Sequence, residues 1–256
     1  IGEAMGGLRH LTGEPGRVPV RVGVSIGDTL AALHGAIGVL MALYHRKVHG
    51  GPGQVIDVAL HEAVFNVMES TIPEYSAFGV VREAAGSALP GIAPSNAYRC
   101  TDGYALIAGN GDSIFKRLMD VIGCPDLGNA PDLADNAGRV ARVAEIDAAI
   151  EAWTQSRTVA DVLATLAPVR VPAGKVYTAQ DIHEDPHYRA RDMILTQHTR
   201  DGHDVDVPGI VPKMSATPGR IRTSAPHLGD DTDAVLREIG LTDAQVAALR
   251  ERGVVA

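Results

Sequence analysis

An α/β fold with a smaller α+β domain inserted into a larger one is predicted by three observations. A helical pattern over residues 28–49 is followed by Gly50-Gly51-Pro52-Gly53, a strand-like Val55-Ile56-Asp57-Val58-Ala59-Leu60 and a second helical stretch over 61–78. Helix, strand and helix with tight joints make an α/β layer. Residues 79–94 are rich in Gly, Ala and Pro, a composition that marks a domain boundary. Residues from about 90 to 190 then alternate hairpin and helix signals, the pattern of a compact α+β unit.

The first 27 residues carry seven glycines and read as irregular chain. In the helix that follows, Leu30, Leu33, Ile37, Leu40, Met41 and Tyr44 recur at helical spacing and predict one buried face. Its stop is the glycine–proline run, since glycine accepts a left-handed C-cap and proline cannot continue a helix. Residues 97–100 and 104–108 flank Thr101-Asp102-Gly103 as a hairpin, and helices are expected near 112–123, 141–155 and 158–167. Thr158 with Asp161, and Thr242 with Gln245, have the spacing of capping boxes. Residues 193–199 and 205–211 around Asp201-Gly202 predict a second hairpin, and two short helices close the chain.

Composition removes several classes of function. The chain has 256 residues, 45% hydrophobic and 21% charged, so it holds enough apolar material for a packed core. A net charge of −8 opposes general binding to nucleic acid or to anionic membranes. Cys100 and Cys124 cannot make a disulfide framework and suit a reducing compartment, and no signal-peptide pattern is visible. The most apolar stretch, residues 30–44, is interrupted by His34 and ends at His45-Arg46-Lys47, so it reads as a core helix, not a span. These readings predict a cytoplasmic protein without nucleic-acid or membrane partners.

Several motifs carry less chemistry than their letters suggest. His183-Glu184-Asp185-Pro186-His187 spells a zinc-protease motif, but Pro186 opposes the helix that would bring both histidines to one face. No metal site is therefore expected. His45 and His49 fall at a helix C-terminus, where cationic side chains complement the dipole. Gly109-Asn110-Gly111 lacks the spacing of a nucleotide fingerprint and reads as a strand-to-helix loop.

Asp28 allows two compatible readings. It follows Gly27 and precedes the apolar helix, so it can serve as the N-cap. A carboxylate there is also held ionised by the helix dipole and free N–H groups, next to a glycine that leaves room for substrate. Those are the conditions for a carboxylate nucleophile attacking an activated acyl group.

Gly23-Val24-Ser25-Ile26-Gly27-Asp28, the apolar helix to Tyr44-His45-Arg46, and the run from Gly50 through Val55-Ile56-Asp57-Val58-Ala59-Leu60-His61-Glu62 resemble the class III CoA-transferases. The likeness continues through Tyr98 to Tyr104 and Val171-Pro172-Ala173-Gly174, and returns at Pro226-His227-Leu228-Gly229-Asp230-Asp231. That family includes formyl-CoA, carnitine and succinyl-CoA-dependent dicarboxylate transferases. The resemblance implies the C-terminal part of a two-domain protein, a Rossmann-like large domain with the smaller α+β domain inserted. Residues 1–88 and 191–256 would belong to the large domain and 89–190 to the small one. Ile1 is then expected to mark a fragment or a proteolysed chain, because family members carry over a hundred further N-terminal residues.

By the same resemblance Asp28 falls on the catalytic aspartate. Gly6, Gly7 and Gly27 would help to wall the CoA site, with most CoA contacts upstream of Ile1. Residues 89–96 correspond to a loop over the acyl site, although Pro90-Gly91-Ile92 replaces a longer glycine run. The implied reaction moves CoA from an acyl-CoA donor to a carboxylic acid through an aspartyl-CoA thioester. Acyl-CoA enters as co-substrate, no cofactor is tightly bound, and the assembly is an interlocked homodimer. Two alternatives stay open: an α-methylacyl-CoA racemase of the same superfamily, and a non-catalytic CoA-binding or dimerisation module. Arg99, Arg139, Arg142 and Arg170 are candidates to clamp a second carboxylate, against the plainer reading of surface salt bridging.

Overall fold

Helix α3 (Ile26–His49) dominates the first part of the chain, and its packing inverts the expected face. The computed structural model describes residues 1–255 and divides by internal contacts into two units, Ile1–Val176 and the residues from Tyr177 onward. In α3 the half-buried positions are Ile26, Gly27, Leu30, Ala31, His34, Gly35, Gly38 and Ala42. This small-residue stripe lies on α4 (Leu60–Asn66), and Gly38 lets Ile56 approach where a Cβ would sit 2.9 Å from its Cγ2. His34 ties the two helices, its Nε2 lying 3.2 Å from Asn66 Oδ1. The larger apolar residues point outward instead: Leu33, Ile37, Leu40, Met41 and Tyr44 are all more than half exposed. No residue of α3 is fully buried, so the expected core helix is here an exposed one. By length and composition alone it is also long and apolar enough to cross a membrane.

Three further expectations are corrected in this region. The N-terminal glycine-rich segment holds two one-turn helices, α1 (Gly2–Met5) and α2 (Leu8–Leu11), joined where Gly7 takes φ +92°. Residues 55–60 form no strand, because none of the described strands lies alongside to complete a ladder. The second helix is broken into α4 and α5 (Thr71–Phe78). Pro73 explains the break: a continuous helix would drive its ring into the carbonyl of Glu69, and Glu69 turns away at φ +52°.

The main core lies between residues 98 and 171. Strands β1 (Ser95–Arg99) and β2 (Tyr104–Ala108) form the expected hairpin, and Arg99 pairs with Tyr104 across it. β3 (Ala173–Lys175), which local sequence did not reveal, joins the other edge of β2 in antiparallel register. Five helices accompany this sheet: α6 (Asp112–Val121), α7 (Pro125–Asn129), α8 (Asn136–Ala141), α9 (Val143–Thr154) and α10 (Val159–Leu166). Tyr98, Ile107, Phe115, Leu118, Ile146, Ile150, Val162 and Leu166 converge in one apolar cluster. Thr158 caps α10 as predicted, accepting from the Asp161 N–H at 3.1 Å.

In the second unit, α11 (Ala179–Glu184) and α12 (Pro186–Ala190) precede the predicted hairpin of β4 (Ile194–His198) and β5 (Asp204–Pro208). Asp185 is the cap between the two helices, so His183 and His187 stand on different elements. His183 Nε2 lies 2.8 Å from Asp206, whose carboxyl is held down to about 2 by hydrogen bonds from Thr196, Arg189 and His183. The chain closes with α13 (Thr232–Glu238) and α14 (Asp243–Glu251), the latter opened by the Thr242–Gln245 capping box.

Candidate active site around Asp28

The first turn of α3 places Asp28. Ser25 is the N-cap, and its carbonyl accepts from the Thr29 N–H at 3.2 Å, so Asp28 is the third helical residue. The N-cap reading of Asp28 is therefore corrected: the cap is Ser25, three residues earlier. Asp28 is exposed and has no hydrogen-bond or ion-pair partner among the described residues. The Asp28 carboxylate is not used up in capping the helix.

A cleft of about 170 Å³ opens beside it, lined by Ile1, Gly2, Glu3, Arg21, Ser25, Ile26, Gly27, Asp28 and Leu60. Glu3 arrives on α1, which packs on α4 and touches α3. Its Oε1 is buried without a hydrogen-bond partner. Arg21 comes from the exposed chain before α3, with Nη2 3.4 Å from Ser25 Oγ. Neither Glu3 nor Arg21 was singled out from sequence. Arg21 has no local signal, but Glu3 is the lone charge among the first eight residues, which is a readable one.

The glycines expected to accompany Asp28 divide between two clefts. Gly27 shares the Asp28 cleft, whereas Gly6 and Gly7 line a larger one of about 450 Å³ with Met5, His10, Phe65, Met68 and Tyr75. That second cleft is mostly apolar, and its Arg82 is already bound to Glu74, Glu69 and Ser70. The Arg82 hydrogen bond holds the Glu74 carboxyl below its ordinary range. Residues 89–96 line neither cleft. They are fixed near β1 by Asn136, which donates to Gly91 O at 2.9 Å and accepts from the Ala93 N–H at 3.1 Å.

Gly6 and Gly27 also differ in what a side chain would meet. A Cβ on Gly6 would lie 2.6 Å from Val64 Cβ and 2.9 Å from His61 O, so α1 and α4 could not stay in contact. On Gly27 it would lie 3.5 Å from Val64 Cγ2, an ordinary contact. Gly6→Ala is expected to cost about 1–3 kcal/mol in urea unfolding, as overpacking does. Gly27→Ala should be neutral or stabilising by up to about 1 kcal/mol, the helix-propensity gain. Equal losses for the two variants would contradict this account.

The four arginines considered as clamps separate clearly. Arg139 is fully buried and donates to the carbonyls of Ala93, Leu133, Ala134 and Asn110 and to Asp112. Its role is internal, not surface salt bridging. Arg142 is engaged with Asp132 and Glu145, while Arg99 and Arg170 are exposed. None of the four lines the Asp28 cleft.

Against known proteins, the description of CoA-transferase family III matches residues 1–232. Over 257 residues the chain is 42% identical to succinyl-CoA–D-citramalate CoA-transferase of Chloroflexus aurantiacus, covering all of this chain and 64% of that protein. It is 35% identical to the beta subunit of succinyl-CoA–L-malate CoA-transferase of the same organism, again covering all of this chain and 64% of the relative. The chain thus spans less than two thirds of the length of these relatives. Among solved structures, a CAIB/BAIF family protein from Brucella suis superposes with a TM-score of 0.80 at 32% identity, covering 93% of this chain and 61% of that one. With the family's pattern running through nine-tenths of its length and the same fold beneath it, the chain belongs to CoA-transferase family III.

Proposed function

We propose that the protein transfers CoA from an acyl-CoA donor to a carboxylic acid, with Asp28 as the covalent nucleophile. The observation that carries this reading is the Asp28 carboxylate itself: first turn of α3, exposed to a cleft, unpaired, and beside a glycine. Its oxygen attacks the donor thioester carbonyl, forming a mixed anhydride as the C–S bond breaks and CoA thiolate leaves. The thiolate attacks the aspartyl carbonyl, giving aspartyl-CoA thioester and freeing the donor acid. The acceptor carboxylate attacks that thioester, and the returning thiolate forms the new acyl-CoA and restores Asp28. Thioester energy is conserved throughout, so the scheme asks for oxyanion donors and dryness in place of ATP. The backbone N–H groups of Gly27 and Asp28, free in the first turn of α3, are suitable donors.

Transfer is preferred to racemisation because both named relatives are CoA-transferases. Within this reading Gly27 keeps the approach to Asp28 open, and Gly6 and Gly7 wall a neighbouring part of the CoA site. The division into residues 1–88, 89–190 and 191–256 describes how the two domains share the chain. Hydroxylamine trapping tests the intermediate: with acyl-CoA present, the whole protein should gain a hydroxamate at Asp28, seen by peptide mass spectrometry. Label elsewhere, or none during turnover, removes Asp28 from the role.

The reading extends to a cytoplasmic homodimer whose copies interlock, with no nucleic-acid or membrane partner. Support comes from the outward apolar face of α3, a patch of a kind that marks interaction surfaces, and from two cysteines left unpaired. Ile37→Glu combined with Leu40→Glu is expected to lower the mass seen by light scattering from two chains to one. An unchanged mass would exclude this face from the dimer.

A further inference from the structure

Glu3 is an unusual feature of the Asp28 cleft, because among the described residues its Oε1 is the only buried side-chain polar atom without a hydrogen-bond partner. A buried acceptor left empty costs roughly 1–3 kcal/mol, and such an atom in a cleft calls for a donor. Arg21 lines the same cleft with a guanidinium whose one contact is the Ser25 hydroxyl, 3.4 Å away, and with no carboxylate within ion-pair reach among the described residues. One empty acceptor and one cation without a counter-ion thus flank the Asp28 carboxylate.

We propose that Glu3 and Arg21 form the acceptor subsite, selecting a 2-hydroxy dicarboxylic acid: Glu3 Oε1 accepts its hydroxyl hydrogen bond and Arg21 pairs with its distal carboxylate. The proximal carboxylate is then left facing Asp28. This rests on the transfer reading above. The charges agree with it. When the acceptor attacks, Asp28 is a neutral thioester, so Glu3 and Arg21 cancel and a dianion is not repelled. A fork-shaped guanidinium suits a carboxylate, and an ionised acceptor makes a stronger hydrogen bond to a hydroxyl than a neutral one does. A hydroxyl group is rejected or demanded most sharply where its absence strands a buried polar atom, which is the situation of Glu3.

The test compares citramalate with 2-methylsuccinate, which differ by the hydroxyl, as acceptors for the whole protein with succinyl-CoA as donor. The unsubstituted protein should favour citramalate in kcat/KM by about 10- to 100-fold, the range for a hydrogen bond to a charged group. Glu3→Met should erase that preference by lowering the citramalate value while changing 2-methylsuccinate less than threefold. Glu3→Gln, which retains an acceptor oxygen, should restore part of it. Arg21→Met should lower both dicarboxylates together relative to butyrate, a monocarboxylate. Equal losses on both acceptors in Glu3→Met, or no preference in the unsubstituted protein, would overturn the subsite while leaving transfer intact. No CoA transfer to any of these acids, together with no hydroxamate at Asp28, would instead overturn the transfer reading and the subsite with it.

Discussion

Replacing Asp28 with asparagine is expected to lower CoA transfer by roughly 10⁴- to 10⁶-fold, the scale seen when a covalent nucleophile or its activating partner is lost. Asparagine keeps the shape of the side chain in the first turn of α3 but cannot form the anhydride. The stability change should be small, because only the favourable interaction of a first-turn anion with the helix dipole is lost, about 0.3–1 kcal/mol at an exposed site. Activity and stability therefore separate in this variant, and circular dichroism beside initial rates reads both. Asp28→Glu sharpens the result. It keeps the charge but displaces the carboxylate by about one methylene, and a misplacement of about 1 Å can cost on the order of 10²-fold. The expected order is Asp28, then glutamate, then asparagine. Asparagine equal to the unsubstituted protein would leave the carboxylate without a covalent role.

What the sequence revealed, and what it hid, follows from the range of the interactions involved. The capping box at Thr242, the side-chain cap at Thr158 and both hairpins depend on neighbours a few residues apart, and the structure has them where the spacing put them, although at Thr158 the Asp161 carboxylate meets the hydroxyl and not the backbone N–H. The length of α3 was legible from periodicity, but its packed face was not. The expected stripe joined its large residues, whereas the half-buried face carries mainly small ones, and the close approach of Ile56 requires one of them, Gly38. Residues 55–60 have strand-like composition, yet a strand is defined by a partner at long range. Strand β3 is the converse case, three residues with weak composition recruited by the open edge of β2. At the site, Asp28 and Gly27 are adjacent in sequence and share a cleft. Glu3 reaches it only through the packing of α1 against α4, which no local pattern encodes, and Arg21 from the irregular chain just before α3.

The largest stability effect is expected from Arg139→Met. The Arg139 guanidinium reaches four backbone carbonyls at 2.8–3.2 Å, those of Ala93, Leu133, Ala134 and Asn110, and Asp112 at 2.7 Å. It also lies 5.2 Å from the Phe115 ring centroid. These carbonyls come from the segment before β1, the loop after β2 and the chain entering α8, so one side chain fixes three connections around the core. Methionine fills much of the volume but supplies no donor, leaving buried acceptors empty at roughly 1–3 kcal/mol each, less what water recovers. A net loss of about 3–5 kcal/mol follows, a large share of a domain's usual 5–15 kcal/mol. The ion pair itself contributes little of this, because the Asp112 side chain is 71% exposed. Asp112→Ala should accordingly cost no more than about 1 kcal/mol. Arg139→Lys should fall between them, since an ammonium has three donors for five acceptors. Urea unfolding followed by the fluorescence of Trp153, the lone tryptophan and part of the same unit, measures all three variants. If Asp112→Ala proved as damaging as Arg139→Met, the stability would lie in the charge pair and not in the bridged carbonyls.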